Sequence, residues 1–307
     1  MPGPSCIFFG YSQIGVVTLE ALARCGYHIQ LVVTHPDDPS EKKWYATPAE
    51  WAAANGVPLI VSEGVPSNIA QLASARKPDF IFSAFYRCLL PGDLLLAALR
   101  GAYNLHPSLL PRYRGRAPIN WVLVNGETET GLTLHRMTRR ADAGEIAAQA
   151  RVPIAPDDTA LKLYRKLEVK AATLLDEVLP ALAAGTAQLV PQDISNGSCF
   201  GRRTPEDGRI DWALPAAKVF NLIRAVTRPW PGAFALLPDG QKFFLWWARP
   251  LAGVYGTPGS WRSKGRLAVV SCGEGGLELQ EVSFKEETAS GVEIPDFLIR
   301  HGMERLQ

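Results

Sequence analysis

No run in this sequence is long and apolar enough to cross a membrane, and CIFFG near the N-terminus, with no basic segment ahead of it, is too short for a secretory signal core. The five cysteines (Cys6, Cys25, Cys88, Cys199, Cys272) are scattered, odd in number and free of any C-x-x-C. That excludes a disulfide framework and a cysteine-built zinc site, and it suits a reducing compartment. Charge of one sign is lacking too: a net charge of +2 over 307 residues gives no gross attraction to nucleic acid or to an anionic membrane, so anion binding has to be local. There are no internal repeats or low-complexity segments. The expectation is a cytoplasmic protein that inserts into no membrane and binds no nucleic acid. An apolar share of 47% and a charged share of 20% are those of a globular chain, and its length exceeds one core, so two domains are expected.

The first half alternates short apolar runs with helical patterns. CIFF (Cys6–Phe9), the loop GYSQIG and an amphipathic stretch over Val16–Arg24 lead to IQLVVT (Ile29–Thr34). TPAEWAAANG then places Thr47 as N-cap, Pro48 at the first helical position and Gly56 as the stop. VPLIV, a helix around Asn68–Ala75, DFIFSAF and GAYNLH continue the alternation, TGLTLHRM adds a strand, and a long helix from Thr159 to Ala184 follows. Repeated strand–helix units predict an α/β fold, a Rossmann-like parallel sheet with helices on both faces, over residues 1–190. Pro191–Gly208, rich in turn formers, reads as a linker. Residues 209–307, with one helix around Ala216–Ala225 and strands joined by short turns, predict a small OB-like β-barrel.

Some catalytic signatures are missing. GYSQIG lacks the middle glycine of G-x-G-x-x-G, so no backbone surface approaches a pyrophosphate and a nicotinamide enzyme is disfavoured. No G-x-S-x-G elbow surrounds Ser108, and Cys88 has no visible acid–histidine partner, which leaves direct attack by a substrate amine ahead of covalent catalysis.

What is present concentrates in NLHPSLLPRYRGRAP (Asn104–Pro118), a stretch too broken by proline and glycine to be a helix. It is either a solvated surface loop or the mouth of an active site. Asn104 and His106, two apart on a strand, leave the same face at its carboxyl end, where open α/β sheets hold ligands. A capping asparagine and a core histidine are the structural alternative. Asp142, in RRADAGEI, is either a turn residue or, near His106, the group that orients the ring, raises its pKa and favours the imidazolium. Together, amide, imidazole and carboxylate match acyl transfer: oxyanion donor, proton carrier and orienting acid. Arg112, Arg114 and Arg116 are either a charged rim or, ahead of a helix near Pro118, a holder of phosphate or carboxylate. Arg114 and Ser108 are the candidate substrate-binding residues.

NLHPSLLPRYRGRAPINWVLVNGETETG…RADAG resembles the signature of the 10-formyltetrahydrofolate-dependent formyltransferases, the family of methionyl-tRNA formyltransferase and the sugar-nucleotide formyltransferases. THPDDPSEKKWY, FYRCLLP, CFGRRTPEDG and VTRPWPGAF extend the similarity toward the formyltransferase domain of bifunctional polymyxin-resistance proteins. The resemblance implies 10-formyltetrahydrofolate as co-substrate and no metal. It implies Asn104, His106 and Asp142 as catalytic residues. Cys88, Leu89, Leu90, Arg116, Thr138, Arg139, Arg140, Ala141 and Asp142 would be the folate contacts. The implied acceptor is a nucleotide-linked amino sugar, UDP-4-amino-4-deoxy-L-arabinose, a precursor in lipid A modification and polymyxin resistance. Two departures stand out. Pro107 replaces a smaller residue, and the chain stops at Gln307 without a sugar-nucleotide decarboxylase domain, which makes it an excised domain or a free-standing enzyme with such a domain as associate.

Two rival functions give distinct expectations. Formylation of methionyl-tRNA needs a basic surface, whereas residues 209–307 hold twelve Lys and Arg against ten Asp and Glu, and THPDDPSEKK is mixed in sign. A non-catalytic OB-type binding module would leave the N-x-H…Asp set without a purpose.

Overall fold

The computed structural model describes residues 3–38, 43–303 and 305–306, and the chain divides into two compact units. The first unit comprises Met1–Pro118, Glu129–Pro153 and Tyr164–Phe200; the second comprises Ile119–Thr128, Ile154–Leu163 and Gly201–Gln307.

The chain runs through β1 (Ser5–Gly10), α1 (Ser12–Arg24), β2 (His28–Thr34), α2 (Pro48–Ala54), β3 (Leu59–Val61), α3 (Ile69–Arg76), β4 (Phe80–Ala84), α4 (Gly92–Leu96) and β5 (Gly101–His106). It continues through β6 (Arg114–Gly115), α5 (Pro118–Val124), β7 (Glu129–Arg136), β8 (Ile146–Pro153), α6 (Ala160–Ala184) and β9 (Cys199–Phe200). Seven of these strands form one sheet in the order β3-β2-β1-β4-β5-β7-β8. The first five are parallel, as the strand–helix alternation predicts, while β7 and β8 run antiparallel to their neighbours. Strand alternation divides the core. Ile7, Phe9, Leu31, Val33, Ile81 and Ala102 pack with Ile69 and Ala73 of α3 and Leu94 of α4. On the other face Phe80 and Phe82 pack against Tyr27, whose hydroxyl donates to Leu179 O of α6. Helices therefore cover both faces.

Local signals account for several boundaries. Thr47 and Glu50 close a capping box at the start of α2, with Pro48 in its first turn. Helix α1 begins at Ser12, four residues before the expected Val16: Tyr11 O accepts the Gly15 N–H, and the early start buries Ile14. Residues 39–42 of the mixed-sign loop lie outside the described residues. Beside them, Lys43 pairs with Asp37 at 2.9 Å and Glu50 at 2.7 Å.

The second unit adds α7 (Ala216–Val226), β10 (Ala233–Leu236), β11 (Lys242–Leu251), β12 (Trp261–Lys264), β13 (Leu267–Ser271), β14 (Gly276–Phe284), β15 (Glu287–Ser290) and α8 (Ile294–Arg300). Its sheet is antiparallel, in the order β10-β11-β14-β13-β12. β14 pairs β13 through its first residues and β15 through its last, while β11 follows the other edge of β14. Two partners sharing one edge curl the sheet into a small barrel-like domain. Residues 119–128 and 154–163 belong with this unit for a visible reason. Asn120 donates to Ala225 O at 2.7 Å, and Arg224 donates to the carbonyls of Ala155 and Asp158 at 3.3 Å. The stretch expected to be a linker is structured on the first-unit side: β9 pairs β6, and Gln192 Nε2 donates to Asp142 O at 3.3 Å.

Candidate active site

Asn104 and His106 leave one face at the carboxyl end of β5, as their spacing predicts, with His106 buried and Asn104 partly so. The neighbouring strand supplies a residue that sequence reasoning missed. β7 pairs β5 antiparallel with His135 directly opposite Asn104 and Thr133 opposite His106, so His135 shares their face. A register irregularity between Leu134 and His135, where β7 pairs β8, falls at this residue, and such bulges re-aim side chains beside functional sites.

Asp142 comes from the loop joining β7 to β8 and sits at a φ of 51°. Aspartate tolerates this left-handed region better than most residues. Gly144 lets the loop close: a Cβ there would lie 2.0 Å from Arg136 O. The Gly115 N–H donates to Asp142 Oδ2 at 2.9 Å, while Oδ1 faces His106 Nδ1 at 3.6 Å and His135 Nε2 at 3.4 Å. The other ring nitrogens are tied to backbone. His106 Nε2–H donates to Tyr113 O at 2.8 Å, and His135 Nδ1–H donates to Arg136 O at 2.9 Å. His135 Nε2 also lies 3.3 Å from the Asn104 amide nitrogen.

The electrostatics depart from expectation in one respect. Burial lowers the pKa of His106 from its ordinary value, and it outweighs the upward pull of Asp142 and of the Tyr113 carbonyl. The expected net rise does not occur, because withdrawing the ring from water disfavours the imidazolium more than one carboxylate favours it. Burial pushes Asp142 up in turn, but the two imidazoles and the Gly115 N–H outweigh it and hold the carboxyl well below the usual carboxylate range.

The remaining expected residues fall into two groups. Ser108 is buried, and its hydroxyl donates to Arg112 O at 2.7 Å, which ties the loop to itself. Helix α5 is short, seven residues, and begins at Pro118, which contributes no N–H of its own. Arg114 is half-buried in β6, and its buried Nε has no hydrogen-bond partner among the described residues. By contrast, the positions expected to hold folate come together. Arg116 donates to Arg87 O at 2.5 Å, next to half-buried Cys88, exposed Leu89 and Leu90, which packs against the α3–α4 core. The Arg139 side chain lies over Gly92, where a Cβ would come within 3.3 Å of its Nε, so the segment after Leu90 meets the loop of Thr138, Arg139, Arg140 and Ala141. Thr138 donates to Arg140 O at 2.9 Å within that exposed loop. Arg87 stacks over Tyr11, and its N–H donates to His35 Nε2, which adds aromatic and cationic groups at the carboxyl ends of β1, β2 and β4. Sequence reading passed over Tyr11, His35 and Arg87 because nothing local marks them. Among the described residues no group of three or more His, Cys, Asp or Glu is placed to hold a metal, and no helix is long and apolar enough to cross a membrane.

The chain matches known families along most of its length. Residues 7–179 match the formyl transferase family, and residues 202–298 match the formyl transferase C-terminal domain. Among solved structures, the chain is similar to an N-formyltransferase from Helicobacter canadensis, in complex with folinic acid and dTDP-3-aminofucose. The two are 20% identical over 90% of this chain and 98% of that one, with a TM-score of 0.70. It is similar to WlaRD, a sugar 3N-formyl transferase solved with dTDP and 5-N-formyl-THF, at 18% identity over 94% and 99% of the chains and a TM-score of 0.68. HypX from Aquifex aeolicus, in complex with tetrahydrofolic acid, matches 97% of this chain through 48% of its own length, at 17% identity and a TM-score of 0.61.

Proposed function

The chain belongs to the formyl transferase family, and on that premise we propose that it transfers the formyl group of 10-formyltetrahydrofolate to the amine of a nucleotide-linked amino sugar, UDP-4-amino-4-deoxy-L-arabinose. The observation that carries this reading is the convergence of Asn104, His106 and Asp142 at the carboxyl end of β5, with His106 Nδ1 3.6 Å from Asp142. In the proposed reaction the neutral sugar amine attacks the formyl carbon, and a carbon–nitrogen bond forms as negative charge gathers on the formyl oxygen. An N–H of Asn104 donates to that oxygen. Tyr113 O holds Nε2–H, so the basic nitrogen of neutral His106 is Nδ1. It takes the proton of the attacking amine, with Asp142 beside it to stabilise the imidazolium, and delivers that proton to N10 as the bond to the folate breaks. The products are the formamido sugar and tetrahydrofolate.

Cys88, Leu89, Leu90, Arg116 and the Thr138–Asp142 loop would hold the folate, and Arg114 the sugar nucleotide. The H. canadensis relative, solved with both folinic acid and dTDP-3-aminofucose, supports a folate donor and a nucleotide-sugar acceptor as the two substrates. The near-balanced charge of residues 209–307 favours a sugar nucleotide over a tRNA, which would need many cations to displace its counterions. Five free cysteines suit work in the cytoplasm, and a fused or associated sugar-nucleotide decarboxylase belongs to the same reading. The test is to incubate the protein with limiting 10-formyltetrahydrofolate and a mixture of UDP- and dTDP-amino sugars and methionyl-tRNA, then identify the product by mass. Formylated UDP-4-amino-4-deoxy-L-arabinose is the expected outcome. A dTDP-sugar product would replace the acceptor, and preferential formylation of the tRNA would overturn the sugar assignment.

A further inference from the structure

We propose that His135 is a positioning residue for this reaction: its Nε2 accepts one N–H of the Asn104 amide and so aims the other N–H at the formyl oxygen. The inference rests on the formyl-transfer reading above, and the hydrogen-bond geometry carries it. A carbonyl can only accept, so the 2.9 Å contact of His135 Nδ1 with Arg136 O puts a proton on Nδ1. An amide nitrogen can only donate, so the 3.3 Å contact between Asn104 Nδ2 and His135 Nε2 makes Nε2 the acceptor. The two contacts demand the same neutral tautomer. The ring cannot swing to release either one: His135 is 1% exposed and lies directly across the ladder from Asn104 at an irregular step of β7.

The consequence concerns which end of the amide faces the reaction. An asparagine amide turns over by a half-rotation that exchanges its NH2 for its carbonyl oxygen. With the oxygen forward, Asn104 would repel the developing oxyanion. The lone pair of His135 Nε2 accepts only the NH2, and this selects the productive orientation before substrate arrives. Nε2 also lies 3.4 Å from Asp142 Oδ1, and a protonated ring donating there would help to hold that carboxyl down. The two arrangements exclude each other, because donating to the carboxylate needs a proton where the amide needs a lone pair, and in this proposal the amide holds Nε2 before substrate arrives.

Two variants and one spectroscopic reading test this. His135→Phe keeps a ring but removes the acceptor, whereas His135→Gln offers an amide oxygen near the position of Nε2. His135→Phe should lower kcat by about 10²-fold, the scale of a lost oxyanion donor, with KM for both substrates within about twofold. His135→Gln should recover most of that loss, which a merely structural role for the imidazole would not allow. In the unsubstituted, 15N-labelled protein without substrate, a scalar coupling across the N–H···N bond from Asn104 to His135 should be visible. Parent-like kcat in His135→Phe, an equal loss in the glutamine variant, or an imidazole that donates from Nε2 to Asp142 with no such coupling would each overturn the proposal. The coupling is read without turnover, so its presence in a protein that formylates no acceptor would fault the formyl-transfer reading rather than the placement of His135. Its absence in an active enzyme would fault the placement alone.

Discussion

Gly115 and Asp142, 27 positions apart, are joined by a 2.9 Å hydrogen bond from the glycine N–H to the carboxylate. This bond clamps the loop after β7 to the stretch after β5 and leaves the other carboxylate oxygen facing two imidazoles. Gly115 can donate there because it adopts a φ of +94° and lacks a side chain, which would lie 2.3 Å from Phe200 O.

Gly115→Ala is therefore expected to cost about 1–3 kcal/mol in strain and overpacking, and to lower turnover by displacing Asp142. Gly201→Ala is the matched control, because among the described residues nothing lies within 4 Å of a Cβ there. Denaturant melts of both variants check this, and equal stability of the two would refute the clamp.

Asn104→Ala and His106→Gln should each keep the fold and lose most activity. The expected losses are about 10²–10³-fold for the oxyanion donor and about 10²–10⁴-fold for the proton carrier. Steady-state rates beside thermal melts decide the matter; a well-folded variant turning over at a near-parental rate would remove that residue from the mechanism.

Asp142→Asn preserves shape but removes the charge that stabilises an imidazolium at His106. The pKa of His106 in this variant should fall further, since its largest upward influence is lost while burial persists. Imidazole titration by NMR reads the shift directly, and kcat should drop by about 10²-fold or more. An unmoved His106 titration would show that the two groups are not coupled.

The pH dependence of stability follows from the same groups. His106 has a folded pKa below its ordinary value, so the unfolded chain binds the proton more readily and stability falls as pH drops below about 6.5. Asp142 has a depressed folded pKa, so its contribution is present above the unfolded value of about 4 and is lost as pH falls below it. Melting temperature should decline in two stages on acidification, and His106→Gln should shrink the first. His35, also lowered by burial, accounts for what remains of that stage. A first stage unchanged in His106→Gln would contradict this account.

Much of the architecture is local information, legible in short stretches of the chain. Periods of two and of 3.6, a Thr-Pro helix start and glycine stops place the strand–helix units, and the i, i+2 spacing alone puts Asn104 and His106 on one face. The half-exposed β8 and the five-residue α4 escaped, because neither carries a periodic apolar signal. The remainder is non-local and arises from packing. Strand alternation says which face a residue occupies but not which residue on another strand it meets, because register is set by how two distant segments pack. Thus TGLTLHRM reads as a strand, yet only the antiparallel register of β7 on β5 sets His135 against Asn104. Likewise the hydroxyl of Ser108 is spent on Arg112 O by the loop's own path, and Gln192 reaches the Asp142 loop from a stretch that reads as a linker. The pKa of His106 belongs with these: a carboxylate in the motif points upward, but the depth of burial, which reverses the sign, exists only once the chain has packed around the ring.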